Sequence, residues 1–456
     1  YPSMARIRRI WSNTETFFVN INEKCKKNLV DNKTRKRLQF TAKRINHTKD
    51  KSFTGAINIM DEELQFYVHP YNYKEKNYDT NEERVYNFIS ITKLPDSILN
   101  IAHSELKKVL VKFKIEVEGE KKDNDIDFKL ADNINLSSYI PFIDIVKTPQ
   151  LFQFICPADK ADDIICLIKE EYEIQMSKVR DRLPLHTNIA YFKNKYPLYV
   201  VLKAAQNMLN DEYLGIDTGE VSKEKWEILD INRFGSDKVN ENTQPYLDLK
   251  VSPKEGVEYC WKVQHYTKDH SLPDYFYPNF QTNLKSETYT NVADLKPGDF
   301  IYVKPCTFDF AKIDSIQNCY LVHGDKRKYP MIDKNRKAYY LEDLDRFATI
   351  WKILDQPDYY SRTQFKKLLE ILLEKRFEWH GKWNREKMDP VISRFIDSIL
   401  KHPNQLKKYF WDEKNKKNKN EKEYEILKQA CYTGMIFDVY DYYCNLCGKK
   451  IEHLEE

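Results

Sequence analysis

Apolar positions change their period several times along the chain, and each change predicts an element. Between Ala5 and Phe18, the residues Ile7, Ile10, Trp11, Thr14 and Phe18 recur at helical spacing while Arg6, Arg8 and Arg9 face away, which predicts an amphipathic helix. From Arg37 to Glu118 the period shortens to that of strands. Ala56–Met60 and Leu64–Val68 flank Asp61-Glu62-Glu63 and read as a hairpin. Leu106–Val117 reads as a further strand, and Glu118–Asp127 as a charged connection.

Residues 139–210 are the most informative. Leu151–Cys156 is a short apolar run suited to a buried strand, and Pro157 closes it. Ala161, Ile164, Ile165, Ile168, Tyr172 and Val179 predict a helix over Ala158–Lys178, and Leu185–Phe192 alternates again as a strand. Pro197 stands at a helix start, with Leu198, Val201, Leu202, Ala205, Met208 and Leu209 on one face. The order strand–helix–strand–helix predicts half of a ferredoxin-like α/β layer, with both strands in one sheet. Residues 211–335 read as irregular, with strands only at places such as Tyr259–His265 and Phe300–Val303.

From Tyr339 onward the stripes are helical: Leu341, Leu344, Phe347, Trp351 and Leu354, then Phe365, Leu368, Leu369 and Leu372, then Val391, Phe395, Ile396 and Ile399. A fourth stripe, Glu421–Leu446, is broken at Gly434. The expected fold is therefore α+β. An α/β domain over 1–210 is followed by an irregular connection over 211–335 and a compact helical bundle over 336–456.

Composition narrows the class. Of 456 residues, 41% are hydrophobic and 32% charged, with 11 Gly, which excludes collagen-like and disordered chains. No apolar run reaches the length of a membrane span, and the opening Tyr1-Pro2-Ser3-Met4 has no apolar signal region. The lack of an initiator Met points to a fragment or a processed chain. No membrane partner and a cytoplasmic location are expected.

Net charge is only 74 − 70 = +4, but it is unevenly spread. Lys24–Lys51 holds eleven Lys/Arg against Asp31 and Asp50, and Lys401–Lys422 holds eight Lys against three acids. Such blocks are commonly solvated faces; the functional alternative is a track for phosphates. Lys33, Arg35, Lys36, Arg37, Lys43 and Arg44 in the first block, and Lys407 and Lys408 in the second, are the candidate contacts. Phe40, Tyr409 and Phe410 lie beside them as rings able to stack on bases or simply to pack.

Candidate catalytic and metal chemistry is thin. Among nine cysteines, Cys444 and Cys447 have metal-ligand spacing, with His453 nearby but no second Cys-x-x-Cys. Asp162-Asp163 falls within a predicted helix and reads as a solvated face. His186 reads as a polar side chain at a sheet edge, and Asp309 and Asp314 as loop residues. No cofactor is expected, with Mg²⁺ or Zn²⁺ as the alternatives.

Three blocks together resemble one family. They are Pro2-Ser3-Met4-Ala5-Arg6-Ile7-Arg8-Arg9-Ile10-Trp11; the stretch from Pro149 through Pro157-Ala158-Asp159-Lys160-Ala161 and Arg182-Leu183-Pro184-Leu185-His186 to Ala204-Ala205-Gln206-Asn207-Met208-Leu209; and Phe308-Asp309-Phe310 followed by Tyr339-Tyr340-Leu341-Glu342-Asp343-Leu344 and Trp351. They look like the carboxy-terminal half of the large, polymerase/cyclase-like subunit of type III CRISPR–Cas effector complexes. That resemblance implies a palm domain followed by a helical domain, with guide RNA, target RNA and neighbouring subunits of an antiviral ribonucleoprotein as partners. The family's nuclease needs a His-Asp dipeptide and its cyclase a Gly-Gly-Asp-Asp hairpin. Neither occurs here, and Thr148-Pro149-Gln150-Leu151 stands where the hairpin would lie. The expected function is RNA binding and scaffolding with a catalytically degenerate palm. The alternatives are a nucleotidyl cyclase or polymerase-like enzyme using other acids, Asp144 first among them, and an unrelated nucleic-acid-binding protein.

Overall fold

The computed structural model of the chain describes residues 4–31, 36–44, 52–70, 85–92, 94–100, 103–117, 126–180, 182–193, 196–209, 223–233, 246–254, 257–266, 274–313, 338–355, 362–379, 388–401, 411–412, 417–418 and 421–446. The chain is mixed α and β and forms two compact units, Phe18–Cys156 and a second comprising Tyr1–Phe17 with Pro157–Glu456. Among the described residues no helix is long and apolar enough to cross a membrane.

The amino-terminal helix α1 (Met4–Asp31) runs well past the expected end at Phe18. Phe17, Ile21, Cys25 and Leu29, each four residues from the last, are buried along it. Ile10 and Trp11 of the expected core stripe are exposed instead.

The first unit is built on a closed antiparallel barrel. Its strands are β1 (Lys36–Arg44), β2 (Phe53–Ile59), β3 (Glu62–Pro70) and β4 (Val85–Ser90), then, after the helices α2 (Asp96–Leu99) and α3 (His103–Leu110), β5 (Lys112–Val117) and β6 (Ile126–Ser138). The barrel order is β1-β4-β3-β2-β5-β6, with β6 closing on β1, so that the barrel has no open edge. Alternate residues point inward, as Leu38, Phe40 and Ala42 do on β1 and Phe113 and Ile115 on β5. The centre is aromatic: the Phe88 ring lies 4.9 Å from those of Phe40 and Phe128 and 5.3 Å from that of Phe113.

Two expectations are corrected here, and one open alternative is decided. Leu106–Val117 is not one strand; its first half is the end of α3, which sinks Leu106 and Leu110 into the core at i,i+4 spacing. The β2–β3 turn comes one residue early, at Met60 and Asp61. Both take positive φ (51° and 65°), as a two-residue primed turn requires. The alternative left open for Phe40 is decided for packing: it is a core residue.

At one place β2 and β5 touch closely. A Cβ on Gly55 would sit 2.7 Å from both the Glu116 carbonyl oxygen and Ile115 Cγ1, so only glycine fits there. Beyond the barrel, β7 (Ile143–Lys147) and β8 (Phe152–Ile155) form an antiparallel hairpin.

The second unit contains α4 (Ala161–Gln175), flanked by single 3₁₀ turns, then β9 (His186–Phe192) and α5 (Leu198–Asn207), all close to their expected positions. Next come β10 (Glu224–Arg233), β11 (Tyr246–Lys254), β12 (Val257–Gln264), β13 (Asn279–Asn283), β14 (Thr288–Asn291), β15 (Phe300–Val303), β16 (Thr307–Ile313) and β17 (Tyr339–Tyr340). Among the described residues five α-helices follow: α6 (Asp343–Leu354), α7 (Arg362–Glu378), α8 (Pro390–Lys401), α9 (Glu421–Thr433) and α10 (Met435–Tyr440). Gly434, at φ 80°, breaks the last pair where expected.

The sheet pairing differs from expectation. β8 pairs with β7, whereas β9 runs parallel to β16 in a three-stranded sheet β17-β16-β9. The helix–strand alternation marks the elements correctly but carries no information on which strand each one pairs with. The partner of β9 lies more than a hundred residues downstream, so the single sheet expected of β8 and β9 does not form.

Residues 211–335 are not an irregular connection either. They supply β16 and a six-stranded antiparallel sheet in the order β12-β11-β10-β15-β13-β14. Its buried face is a period-two series: Trp226 and Ile228, Leu247, Leu249 and Val251, then Tyr259, Trp261 and Val263. Asp309 accordingly sits in β16 and is buried, not in a loop; Asp314 lies outside the described residues. Asp162 does not lie on a solvated face: it is buried in α4 and accepts a hydrogen bond from the Tyr442 hydroxyl at 3.2 Å.

Candidate nucleic-acid interface

The barrel's outer face follows from its core. Because Leu38, Phe40 and Ala42 point inward on β1, Lys43 points outward, and the same alternation turns Lys112 and Lys114 outward beside Phe113 and Ile115. Strand register then aligns these side chains. Lys43 is the Cα partner of Lys129 across β1–β6, and Lys129 that of Lys112 across β6–β5. Three lysines thus stand in one row over three adjacent strands, spanning about 10 Å. Lys112 and Lys129 are exposed and Lys43 is half-buried. Lys114, two residues along β5, faces Asp127 in register. Lys107 and Lys108 are exposed on α3 just upstream.

Like charges set directly opposite one another across a sheet repel. A polyanion lying over such a row releases condensed counterions as it binds.

A cleft adjoins the row. Among the described residues β2 and β5 are paired at Gly55–Val117 and Ala56–Glu116 alone. The opening has a volume of about 250 Å³ and is lined by Ala56, Ile57, Asn58, Val109, Lys112, Phe113, Lys114 and Glu116. It offers two cations, an amide and a carboxylate, and its accessible lining is mainly polar.

Of the sequence candidates, Lys43 belongs to this row. Lys36 and Arg37 stand at the opposite end of β1, about 20 Å away along the strand. There the Arg37 guanidinium lies 4.0 Å from the centroid of the Tyr139 ring. Arg44 ends β1 next to Lys43. Lys33, Arg35, Lys407, Lys408, Tyr409 and Phe410 lie outside the described residues. The charge count overlooked Lys112, Lys114 and Lys129. The signal for the first two was present as Lys112-Phe113-Lys114-Ile115, a strand with one wet and one dry face.

The residues weighed for catalysis or metal binding sit as follows. The β7–β8 turn is closed by Thr148 and Leu151: the Thr148 amide donates to the Leu151 carbonyl at 2.9 Å, and the Leu151 amide to Thr148 Oγ1 at 3.1 Å. Asp144, on β7, accepts hydrogen bonds from Asn22 Nδ2 at 3.1 Å and Lys26 Nζ at 2.8 Å. Burial pushes its pKa up, but those two hydrogen bonds and the charges of Lys26 and Lys147 outweigh burial and hold it below the usual carboxylate range. Asp144 is thus an ionised partner for an amide and an ammonium group. Burial, together with the negative charge of Asp144, pushes the Cys25 thiol up to about 12, so it stays protonated near neutrality.

His186 sits on β9, an edge strand as expected, with Nδ1 2.8 Å from Thr307 Oγ1. Cys444 is half-buried after α10, and Cys447 and His453 lie outside the described residues. Among the described residues no three His, Cys, Asp or Glu side chains converge as metal ligands.

No protein-family model, curated protein or solved structure matches the chain.

Proposed function

We propose that the chain is an RNA-binding and scaffolding subunit of a type III CRISPR–Cas interference complex and does not itself perform catalysis. The observation that carries the RNA-binding part is the in-register row Lys43, Lys129 and Lys112 on a closed barrel. A rigid sheet that presents three lysines in one register row can follow a phosphate backbone, and such contacts position a nucleic acid without reading its sequence. The scaffolding and CRISPR parts rest on the sequence resemblance. Of the palm only the order of elements is kept, β7–β8 hairpin, α4 and β9, because β8 and β9 lie in different sheets; the non-catalytic part rests on Thr148-Pro149-Gln150, which stands in the hairpin turn in place of carboxylates.

Purification of the full chain from cells producing the whole complex tests this reading. A short guide RNA of defined length is expected to accompany it, and ATP incubated with the complex, target RNA and Mg²⁺ is expected to stay intact. A chain that emerges without RNA and has no affinity for added RNA contradicts the proposal. Oligoadenylate formation contradicts its non-catalytic part and favours the cyclase.

A further inference from the structure

One face of the six-stranded sheet in the second unit combines exposed rings with cations. Lys225 on β10 pairs in register with Tyr302 on β15, Tyr302 with Gln281 on β13, and Gln281 with Tyr289 on β14. The residues that alternate with them, Trp226, Ile301 and Phe280, are buried in the core, so this row lies on the opposite face. Phe300 stands two residues before Tyr302 and is 42% exposed, and Tyr289 is 46% exposed. Neither ring is left bare. Lys225 Nζ lies 3.7 Å from the centroid of the Phe300 ring. The Arg182 guanidinium and Lys223 Nζ lie 5.6 Å and 5.4 Å from that of Tyr289. Glu227, the register partner of Phe300, is an acid on the same face of β10 as Lys225, and Glu224 alternates to the other face.

The chemistry of the face selects its occupant. Large aromatic side chains half-exposed on a sheet gain little from burial where they stand, so their worth lies in what they can cover. An apolar protein partner would have to bury the three cations against its own surface at a high desolvation cost. A nucleic-acid duplex keeps the faces of its bases stacked inside and offers the rings nothing. A single strand offers both complements at once: base faces for the rings and phosphates for the cations. The spacing also fits. Phe300 and Tyr289 are separated by two strand spacings and about two residues along the strand, or about 12 Å, which leaves room for a base on each ring with backbone between them.

We propose that this face binds single-stranded RNA, with bases stacked on Phe300 and Tyr289 and phosphates held by Lys225, Arg182 and Lys223. The inference rests on the RNA-binding reading of the barrel and adds a second contact that differs in its physics, since stacking depends on an unpaired base and hardly on salt.

Binding of a labelled oligouridine and of a blunt RNA duplex to the full chain, measured by fluorescence anisotropy, tests it. The Tyr289→Leu/Phe300→Leu variant, which keeps apolar bulk but removes both π-faces, should bind the single strand at least tenfold more weakly, with an unchanged salt slope and unchanged duplex affinity. Tyr289→Trp should bind the single strand at least as well as the parent, which guards against a folding defect in the leucine variant. An unchanged affinity of the double leucine variant for oligouridine overturns the stacking site. If Lys43→Gln/Lys112→Gln/Lys129→Gln still weakens binding of both RNAs, the barrel reading survives that failure. Equal losses on single strand and duplex also overturn the stacking site, because a duplex has no bases to stack.

Discussion

Phe88→Ala should unfold the barrel at much lower denaturant than the parent protein requires, at a cost of about 3–5 kcal/mol. Phe88 is completely buried and touches Phe40, Phe113 and Phe128, with the Phe40 ring stacked on it at 6° between planes. Deletion of its ring removes apolar contact from three neighbouring strands and leaves a cavity inside a closed sheet, which has little freedom to collapse around the gap. Domains of this size are stable by roughly 5–15 kcal/mol, so the loss is a large share of the total. The result can be read cleanly because all seven tryptophans lie outside Phe18–Cys156. The far-ultraviolet circular dichroism of Phe88→Ala should gain an early transition, while its tryptophan fluorescence midpoint should stay near that of the parent. A shift of both signals together would mean that the two units unfold as one.

The second large effect is expected at Arg180. Its guanidinium forms an ion pair with Glu342, and both side chains are 3% exposed. The guanidinium carbon lies 4.4 Å from the Trp261 ring centroid, and Trp261 Nε1 donates to Glu342 Oε1 at 2.9 Å. Arg180→Ala leaves a carboxylate in an apolar setting with one indole donor, and loss of one partner of such a pair costs about 3–5 kcal/mol. The double variant Arg180→Met/Glu342→Gln removes both charges, keeps an acceptor for Trp261, and should recover most of the loss. Acidity distinguishes charge from packing. An unpaired buried carboxylate favours its neutral form, so its folded-state pKa stands above the unfolded one and the folded state binds the extra proton. The defect of Arg180→Ala should therefore shrink as pH falls toward the unfolded carboxylate range and be greatest above the raised value. Loss of stability that is flat with pH would assign the effect to packing alone.

How much of this was legible in the chain depends on the kind of signal. Helices and short strands announced themselves by period: α4, β9, α5 and the stripe of α6 lie within a few residues of expectation, and Gly434 marks a real break. Partners did not. Nothing in Leu185–Phe192 says that it will pair with Thr307–Ile313, because a strand's pattern encodes its faces and not its neighbours. The sheet over 224–303 was hidden by composition. Asp, Asn and Tyr crowd the connections, while the decisive alternation, as in Tyr259, Trp261 and Val263, occupies only half of each strand. Leu106–Val117 was misread because β-branched content outweighed the i,i+4 pair Leu106 and Leu110. The turn at Met60-Asp61 was misplaced by one residue because Met60, unlike Asp61, is not a residue that commonly adopts positive φ in such a turn.

The candidate interface was legible only in part, for a related reason. Counting charge along the chain finds Lys43 within a basic block but weights it equally with Lys36 and Arg37. Register, which only the fold supplies, joins Lys43 to Lys129 and Lys112 and leaves the other two at the far end of the strand. Two acids that read as surface or loop residues, Asp162 and Asp309, prove to be buried.

The most direct test of the lysine row is the slope of log affinity against log salt for RNA binding. Each phosphate contact on a single strand contributes about 0.7 to that slope. Lys43→Gln/Lys112→Gln/Lys129→Gln should therefore bind more weakly at low salt and show a slope flatter by about two units than that of the parent, converging with it as salt rises. A triple variant with the parent's affinity and the parent's slope would contradict the row as an RNA contact and leave it an ordinary solvated face.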